Sequence, residues 1–245
     1  MTNQQAQDIL NQTVAAYDKV AGDFATTRVF AWPEAEVFVP YIQSLQQSSG
    51  QPLVIADIGC ANGRMVPWVK KQGGTYVGVE PSAQLLKVAA KNYPPEIFKL
   101  GSMLKLPMAD QSVDVCLLNA SLHHLPTPLL SQATQELRRV LRPHGYVLMV
   151  NWNLWQPRFF KLHLRTWLGK LLGRSDLGWK DVWVEYSSPD KKTRADRFYH
   201  GFTLHELNQL AAAHKFSIQQ QHYVYKTNRA HSWNGRNILS VWQKT

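Results

Sequence analysis

Leu53-Val54-Ile55-Ala56-Asp57-Ile58-Gly59-Cys60-Ala61-Asn62-Gly63 decides how the rest of the chain is read. A short apolar run of strand character ends on an acidic residue and passes straight into a loop of small residues. Small side chains at 59, 61 and 63 let the backbone turn tightly and let a ligand approach it closely. The segment from Asn62 to Lys71 that follows reads as a helix, so such a ligand would lie beside unpaired N–H groups at a helix start.

Working outward, strands and helices alternate. Residues 5–24 and 33–47 are predicted helical, with a turn at Thr26-Thr27-Arg28 and a break at Ser48-Ser49-Gly50. Thr75–Glu80 is a second strand, and Ser82 caps a helix carrying Leu85, Leu86, Val88 and Ala89. A short strand near Ile97–Leu100, another at Val113–Leu118, a helix at Ser131–Leu141 and a strand at Tyr146–Asn151 complete a β-α-β-α-β-β-α-β order. Arg142-Pro143-His144-Gly145 makes the turn before that last strand. The pattern predicts a doubly wound, mostly parallel sheet. Residues 154–202 break the rhythm, being basic, Trp-rich and less periodic. Thr203 with Glu206 is a capping-box signature for a helix through Ala213, and two strands, about 216–226 and 237–243, follow with a hairpin turn around Asn234-Gly235.

Glu80 ends the second strand 23 residues after Asp57, where an acidic side chain bonds a ribose diol. The loop is not a dinucleotide fingerprint, because its leading carboxylate would repel a pyrophosphate and suits an amine. Asp-x-Gly-x-(Gly/Ala)-x-Gly resembles the nucleotide loop of class I S-adenosylmethionine-dependent methyltransferases, and the similarity runs over about residues 50–152. Leu106-Pro107, Asp114, His123-His124-Leu125 and Leu141-Arg142-Pro143-x-Gly145 follow in that family's order. The resemblance implies a Rossmann-like fold with a mostly parallel seven-stranded sheet ending in an antiparallel hairpin. It also implies S-adenosylmethionine as cofactor. Gly59, Ala61 and Gly63 would line its methionine part, Asp57 would order the loop and the ammonium, and Glu80 would hold both ribose hydroxyls. Ser102-Met103 would grip the adenine, and Asn119-Ala120 would stand beside the reactive methyl. Two departures are Ala61, where a glycine is usual and which calls for a negative φ, and Ser102, where an acidic residue is common.

A narrower resemblance lies outside this core. Tyr17-Asp18-Lys19-Val20-Ala21, Phe24, Thr27-Arg28, Trp32-Pro33, Glu36 and Phe38 are similar to the start of the tRNA wobble-uridine methyltransferases that esterify 5-carboxymethyluridine. Asp181-Val182-Trp183-Val184 and Arg197-Phe198-Tyr199-His200-Gly201-Phe202 before Glu206-Leu207 continue the similarity, which is thinnest over 154–178. It implies one methyltransferase domain over 1–245, with N-terminal helices (1–48), a cofactor core (50–152), a basic insertion or lid (153–202) and a C-terminal helix and hairpin (203–245). It implies tRNA as partner and, as in eukaryotic members, a small zinc-binding activator protein. A carboxylate acceptor is ionised at pH 7 and needs no general base; alignment and exclusion of water do the work. It does need a cationic or hydrogen-bonding clamp, for which Arg28, Arg197 and His200 are the candidates, with Tyr199 as a stacking or donor group. His123 and His124 are read as walls of the cofactor pocket. No metal-ligand set is expected.

The net charge is +10, and it is unevenly spread. Residues 1–150 carry 12 basic against 11 acidic side chains, and residues 151–245 carry 15 against 6. Seven of the nine Trp fall in the second part. Basic residues interleaved with aromatics suit a polyanion with stackable bases, or else a basic surface over a Trp-containing core. Arg158, Lys161, Arg165, Lys170, Arg174, Lys180, Lys191, Lys192, Arg194 and Arg197 give 155–197 its charge. An amphipathic helix at 158–172, with Phe159, Phe160, Leu162, Leu164, Trp167, Leu168 and Leu171 toward the core, could instead cover the site or rest on a membrane surface. No run approaches the roughly 18 apolar residues of a spanning helix. The N-terminus lacks a secretory pattern, and Cys60 and Cys116 lie in apolar runs, so a reducing, cytoplasmic setting is expected. Three readings remain: tRNA methyltransferase, methyltransferase of an acidic or quinone-like small molecule, and a non-catalytic cofactor-binding protein that interacts with RNA.

Overall fold

The computed structural model describes residues 1–245. Helix α1 (Asn3–Thr27) opens with a capping box between Thr2 and Gln5. A 3-10 turn at Pro33–Phe38 leads into α2 (Val39–Ser49). The alternating part runs β1 (Val54–Ile58), α3 (Val66–Lys71), β2 (Thr75–Glu80), α4 (Ala83–Asn92), β3 (Ile97–Leu100), β4 (Val113–Asn119), α5 (Thr127–Val140) and β5 (Leu141–Trp152). Then come α6 (Phe160–Leu171), β6 (Asp181–Ser187), β7 (Arg194–His200), α7 (Leu204–Ala213), β8 (Phe216–Tyr225), β9 (Asn228–Arg229) and β10 (Asn237–Lys244). No helix is long and apolar enough to cross a membrane.

The main sheet has the order β3-β2-β1-β4-β5-β10-β8-β9. Its first five strands pair in parallel, and β10, β8 and β9 add antiparallel. The central parallel strands are mostly apolar because both faces are covered, and every residue of β4 is buried. One face packs on α5 and α7, through residues such as Leu130, Leu137 and Leu207. The other packs on α2 and α3, through Ile42, Trp68 and Val69. Strand order reverses between β1 and β4, so the loops leaving their carboxyl ends diverge and open a crevice.

Several expectations are corrected. The sheet has eight strands instead of seven, because the two-residue β9 doubles back on β8 through a turn at Lys226, whose φ is +55°. That places the tight turn of the C-terminal hairpin well before Asn234-Gly235. The helix expected from Asn62 begins only at Val66, residues 61–65 being spent on turns. The Arg142–Gly145 turn lies inside β5 as a register irregularity, with His144 at φ +64°. The aperiodic 154–202 segment holds α6 and a separate β6–β7 hairpin. On α6 the apolar side chains do not all face inward. His163 and Thr166 are buried instead, and Phe160, Leu164, Leu168 and Leu171 are exposed.

Candidate active site

The crevice after β1 and β4 is a cavity of about 1050 Å³, open mouth included, roofed by α1 and by β7. Its cofactor end is organised by Glu80. One carboxylate oxygen accepts the Ala61 N–H at 2.8 Å and the other the Ser82 N–H at 2.9 Å, which fixes both the β1 loop and the start of α4. That first bond draws Ala61 into the left-handed region, φ +51°, against the negative φ expected of it; a non-glycine residue there costs roughly 1 kcal/mol. Gly59, at φ +78°, has a further reason to be glycine. A Cβ would lie 2.5 Å from that of Ser121, whose hydroxyl donates to the Ile58 carbonyl at 2.6 Å and ties the β4 loop to the β1 loop.

Two acceptors here have no donor within the chain. Asp57 takes the Tyr76 hydroxyl on one oxygen at 2.8 Å and leaves the other unpartnered. Asn119 donates to the Met65 sulfur, and its carbonyl oxygen is likewise unpartnered. Both side chains are buried and line the cavity. Burial lifts the Asp57 carboxyl to about 6 against the opposing Tyr76 hydroxyl and Arg64 charge. Burial lifts Glu80 to about 7, although its two backbone donors pull the other way. Ser102, Met103 and Ala120 also line the cavity. The Ser102 hydroxyl accepts the Leu104 N–H, and Ala120, at φ +64°, donates to Val150. Gly63 faces away, against Tyr93 and Phe98.

The remaining wall is cationic and aromatic. Arg197, on β7, is 5% exposed and has no carboxylate within ion-pair distance. Its guanidinium is ringed by Tyr17, Tyr186 and Tyr199 at 5.3 to 5.4 Å, and its Nε has no partner. It donates to the Tyr17 hydroxyl at 3.3 Å. His124 donates from Nδ1 to the Phe198 carbonyl at 2.8 Å, so its Nε2 is bare and accepts the Tyr17 O–H at 2.8 Å. Burial, with the Arg197 charge, holds His124 down at about 3 and hence neutral. His123 accepts the Trp152 N–H on Nδ1, which puts its proton on an unpartnered Nε2. Tyr199 stacks on both His123 and Trp152, at 4.9 Å each, and those two rings lie 6.0 Å from one another. Arg28, over Phe24, and Arg64, over Trp32, complete the wall.

His200 is not brought here. It donates to Asp181 at 2.6 Å and to Glu206 at 2.9 Å, and Lys180 closes on the same Glu206 at 2.9 Å. With both ring nitrogens engaged by carboxylates, it has nothing left to offer a ligand. Sequence reading had not placed Tyr17, Arg64 or Trp152 among the site side chains. Arg64 carried a signal, as a cation directly following Gly63; for Trp152 only the fold supplies one.

A doubly wound sheet with acidic residues at the carboxyl ends of β1 and β2 defines a nucleoside-cofactor enzyme. A family model described as a methyltransferase domain matches residues 56–149. A tRNA (carboxymethyluridine(34)-5-O)-methyltransferase of Schizosaccharomyces pombe is 30% identical, over 84% of this chain and 89% of its own length. Proteins of the same name from Arabidopsis thaliana and Mus musculus are 29% and 30% identical, but this chain spans only 38% and 20% of their lengths. Among solved structures, a SAM-dependent methyltransferase from Methanosarcina mazei superposes with TM-score 0.65 at 20% identity, covering 79% of this chain and 92% of that one. Burkholderia thailandensis 1,6-didemethyltoxoflavin-N1-methyltransferase, with S-adenosylhomocysteine bound, gives 0.61 at 17%, covering 100% and 91%. The chain belongs to the class I S-adenosylmethionine-dependent methyltransferases, and S-adenosylmethionine is its cofactor. The residues present fit that group, because the orphaned oxygens of Asp57 and Asn119 are buried acceptors in want of an ammonium or N–H donor.

Proposed function

We propose that this protein methylates a carboxylate, and that the acceptor is the carboxymethyl group of a wobble uridine in tRNA. Arg197 carries the reading. A buried, permanently charged guanidinium without an acidic partner is costly unless an anion arrives, and a carboxylate matches its fork. The Tyr17–His124 pair holds one edge of the guanidinium by hydrogen bonding, and the three tyrosine rings fix its plane. Arg28 and the Nε2–H of His123 stand by as further donors, and Tyr199, whose ring is covered by His123, Trp152 and Arg197, supports the guanidinium. His200 leaves the clamp and becomes a support for β7.

In the cofactor half, Asp57 takes the ammonium, Glu80 the ribose hydroxyls on its free lone pairs, and Ser102 and Met103 the adenine, while Gly59 and Ala61 shape the loop and Asn119 and Ala120 border the reacting atoms. Gly63 contributes by packing. The bound cofactor supplies a methyl group on a sulfonium, open to in-line attack. The neutral His123 and His124 have no proton to remove from an ionised acceptor, so the protein's work is alignment and exclusion of water. Residues 153–202 bring Arg197 and Tyr199 over the acceptor side. Cytoplasmic location and an activator subunit go with the tRNA reading.

The test incubates the protein and labelled cofactor with tRNA from cells lacking the terminal methylation, then digests to nucleosides. A labelled, alkali-labile methyl ester of 5-carboxymethyluridine is expected. Labelled cofactor turnover on acidic small molecules without any nucleoside ester would replace the tRNA reading. Cofactor binding without turnover on either would leave a non-catalytic protein.

A further inference from the structure

The loop joining β9 to β10, Ala230-His231-Ser232-Trp233-Asn234-Gly235-Arg236, is exposed yet tightly built. His231 accepts from the Asn234 and Gly235 N–H groups on its carbonyl, at 3.3 and 2.7 Å, and donates its own N–H to Asn234 Oδ1 at 2.8 Å. Asn153 donates to the Ser232 and Gly235 carbonyls at 2.6 and 2.7 Å, which anchors the loop to the residue following Trp152 in the cavity wall. Gly235 is buried and required, since a Cβ would meet the His231 carbonyl at 2.9 Å. This rigid frame holds Trp233 outward, 65% exposed, with its ring parallel to that of His231 within 2°. Packing gives no reason for a tryptophan in that position.

Around it the charge is all of one sign. No acidic residue follows Glu206 in the chain. Arg236 lies over the exposed ring of Tyr225 at 4.9 Å, and Arg229 and Lys226 stand on the adjoining turn. Arg158, from the start of the α6 segment, is close enough to Arg236 for the like charge to add to burial in lowering its basicity. None of these four cations has an ion-pair partner. Aromatic faces among unpaired cations match bases and phosphates of a single strand. A lipid surface would call for a continuous apolar face, whereas at this loop the exposed large apolar groups are two separate aromatic rings, Trp233 and Tyr225.

We propose that the 225–236 turn and loop is a docking platform for single-stranded RNA. Trp233 stacks on a base flanking the nucleotide inserted in the cavity, while Arg229, Arg236 and Arg158 meet the neighbouring phosphates. The placement beside Trp152 rests on the tRNA reading above; the recognition of an RNA single strand does not. A duplex hides its base faces, so a loop strand is the partner.

The experiment measures binding of an anticodon stem-loop RNA, without turnover, to wild type, Trp233→Ala and Trp233→Phe. It also measures methyl transfer to the stem-loop and to free 5-carboxymethyluridine. Loss of one stacked base is expected to weaken stem-loop binding by about tenfold or more in Trp233→Ala, with most of it restored in Trp233→Phe. Cofactor affinity, thermal stability and activity on the free nucleoside should hold, because the side chain is exposed and outside the cavity. Stem-loop binding within twofold of wild type in Trp233→Ala overturns the platform and leaves the function standing. Trp233-dependent RNA binding with no methyl transfer to any RNA supports the platform and removes the function. Absence of RNA binding by wild type overturns the platform outright.

Discussion

Asp57 and Glu80 are buried beside one another's loops, and desolvation lifts them to about 6 and about 7. In an unfolded chain both would titrate near 4. Without cofactor the folded state therefore holds protons that the unfolded state has lost. Their contribution to stability is full below about pH 4 and is lost as pH rises through 6 to 7. A cationic, hydroxyl-bearing cofactor favours the ionised forms, so its binding releases protons. Cofactor affinity should rise by about tenfold or more from pH 5.5 to 7.5. Calorimetry at pH 6.5 in two buffers of different ionisation enthalpy checks this, and equal apparent enthalpies would count against it. Arg197 sets a second test at this scale. Arg197→Lys keeps the charge but loses the planar fork and the three-ring enclosure. It should cut kcat/KM for the acceptor by about 100-fold while cofactor affinity stays within about threefold. An unchanged kcat/KM would remove Arg197 from the clamp. The acidic ends of β1 and β2 were legible in the sequence because their spacing is local. The conformation of Ala61 was not, since a Glu80 oxygen nineteen residues away sets it.

Among the elements, the central parallel strands were readable because burial on both faces leaves apolar runs, as in Val115–Leu118. The β6–β7 hairpin was not readable. Its strands mix charged, aromatic and small residues, as in Arg194-Ala195-Asp196-Arg197-Phe198-Tyr199, and its stability comes from partners that the chain order separates. The clearest is His200 on β7, between Asp181 on β6 and Glu206 on α7. Burial alone would lower the imidazole's basicity, but the two carboxylates outweigh it and raise it above the ordinary value. A raised histidine adds stability that is full below about pH 6.5 and is lost as pH climbs through the raised value. Asp181→Asn leaves an imidazolium half-paired in a buried site and should cost about 3 kcal/mol near neutral pH. The deficit should narrow at alkaline pH, where the wild-type ring is neutral as well. Denaturant unfolding of both proteins at pH 6 and pH 9 measures it, and a deficit that does not change with pH would mean that the ring carries no charge. Because β7 also holds Arg197 and Tyr199, the same variant should raise the acceptor KM more than the cofactor Kd.

Over the whole molecule the charge divides as the sequence indicates, but the fold changes which cations are available. Of the basic residues on the C-terminal side, Lys180, Lys192 and Arg194 are paired with Glu206, Asp190 and Glu185, and Arg197 is inside the cavity. The free ones include Arg158, Lys161, Arg165 and Arg174 on the α6 segment and Lys226, Arg229 and Arg236 on the turns after β8, while Lys191 and Lys215 lie apart from both groups. Pairing of this kind depends on tertiary neighbours, so composition could locate the excess charge without ranking its members. If about four free cations meet phosphates, log K for tRNA should fall with log salt at a slope of about −3, or about fiftyfold between 50 and 200 mM. Reversing Arg229 and Arg236 to Glu should flatten that slope by about 1.5 and weaken binding at every salt concentration. Lys87 and Lys91, exposed on α4 in the nearly neutral half, supply the control: reversing them should leave the slope where it was. Titrations of each protein with bulk tRNA across the salt series decide it. A flat wild-type slope would detach the charge from nucleic acid altogether, whereas equal losses from both reversals would mean that only the total charge matters and no face is the docking surface.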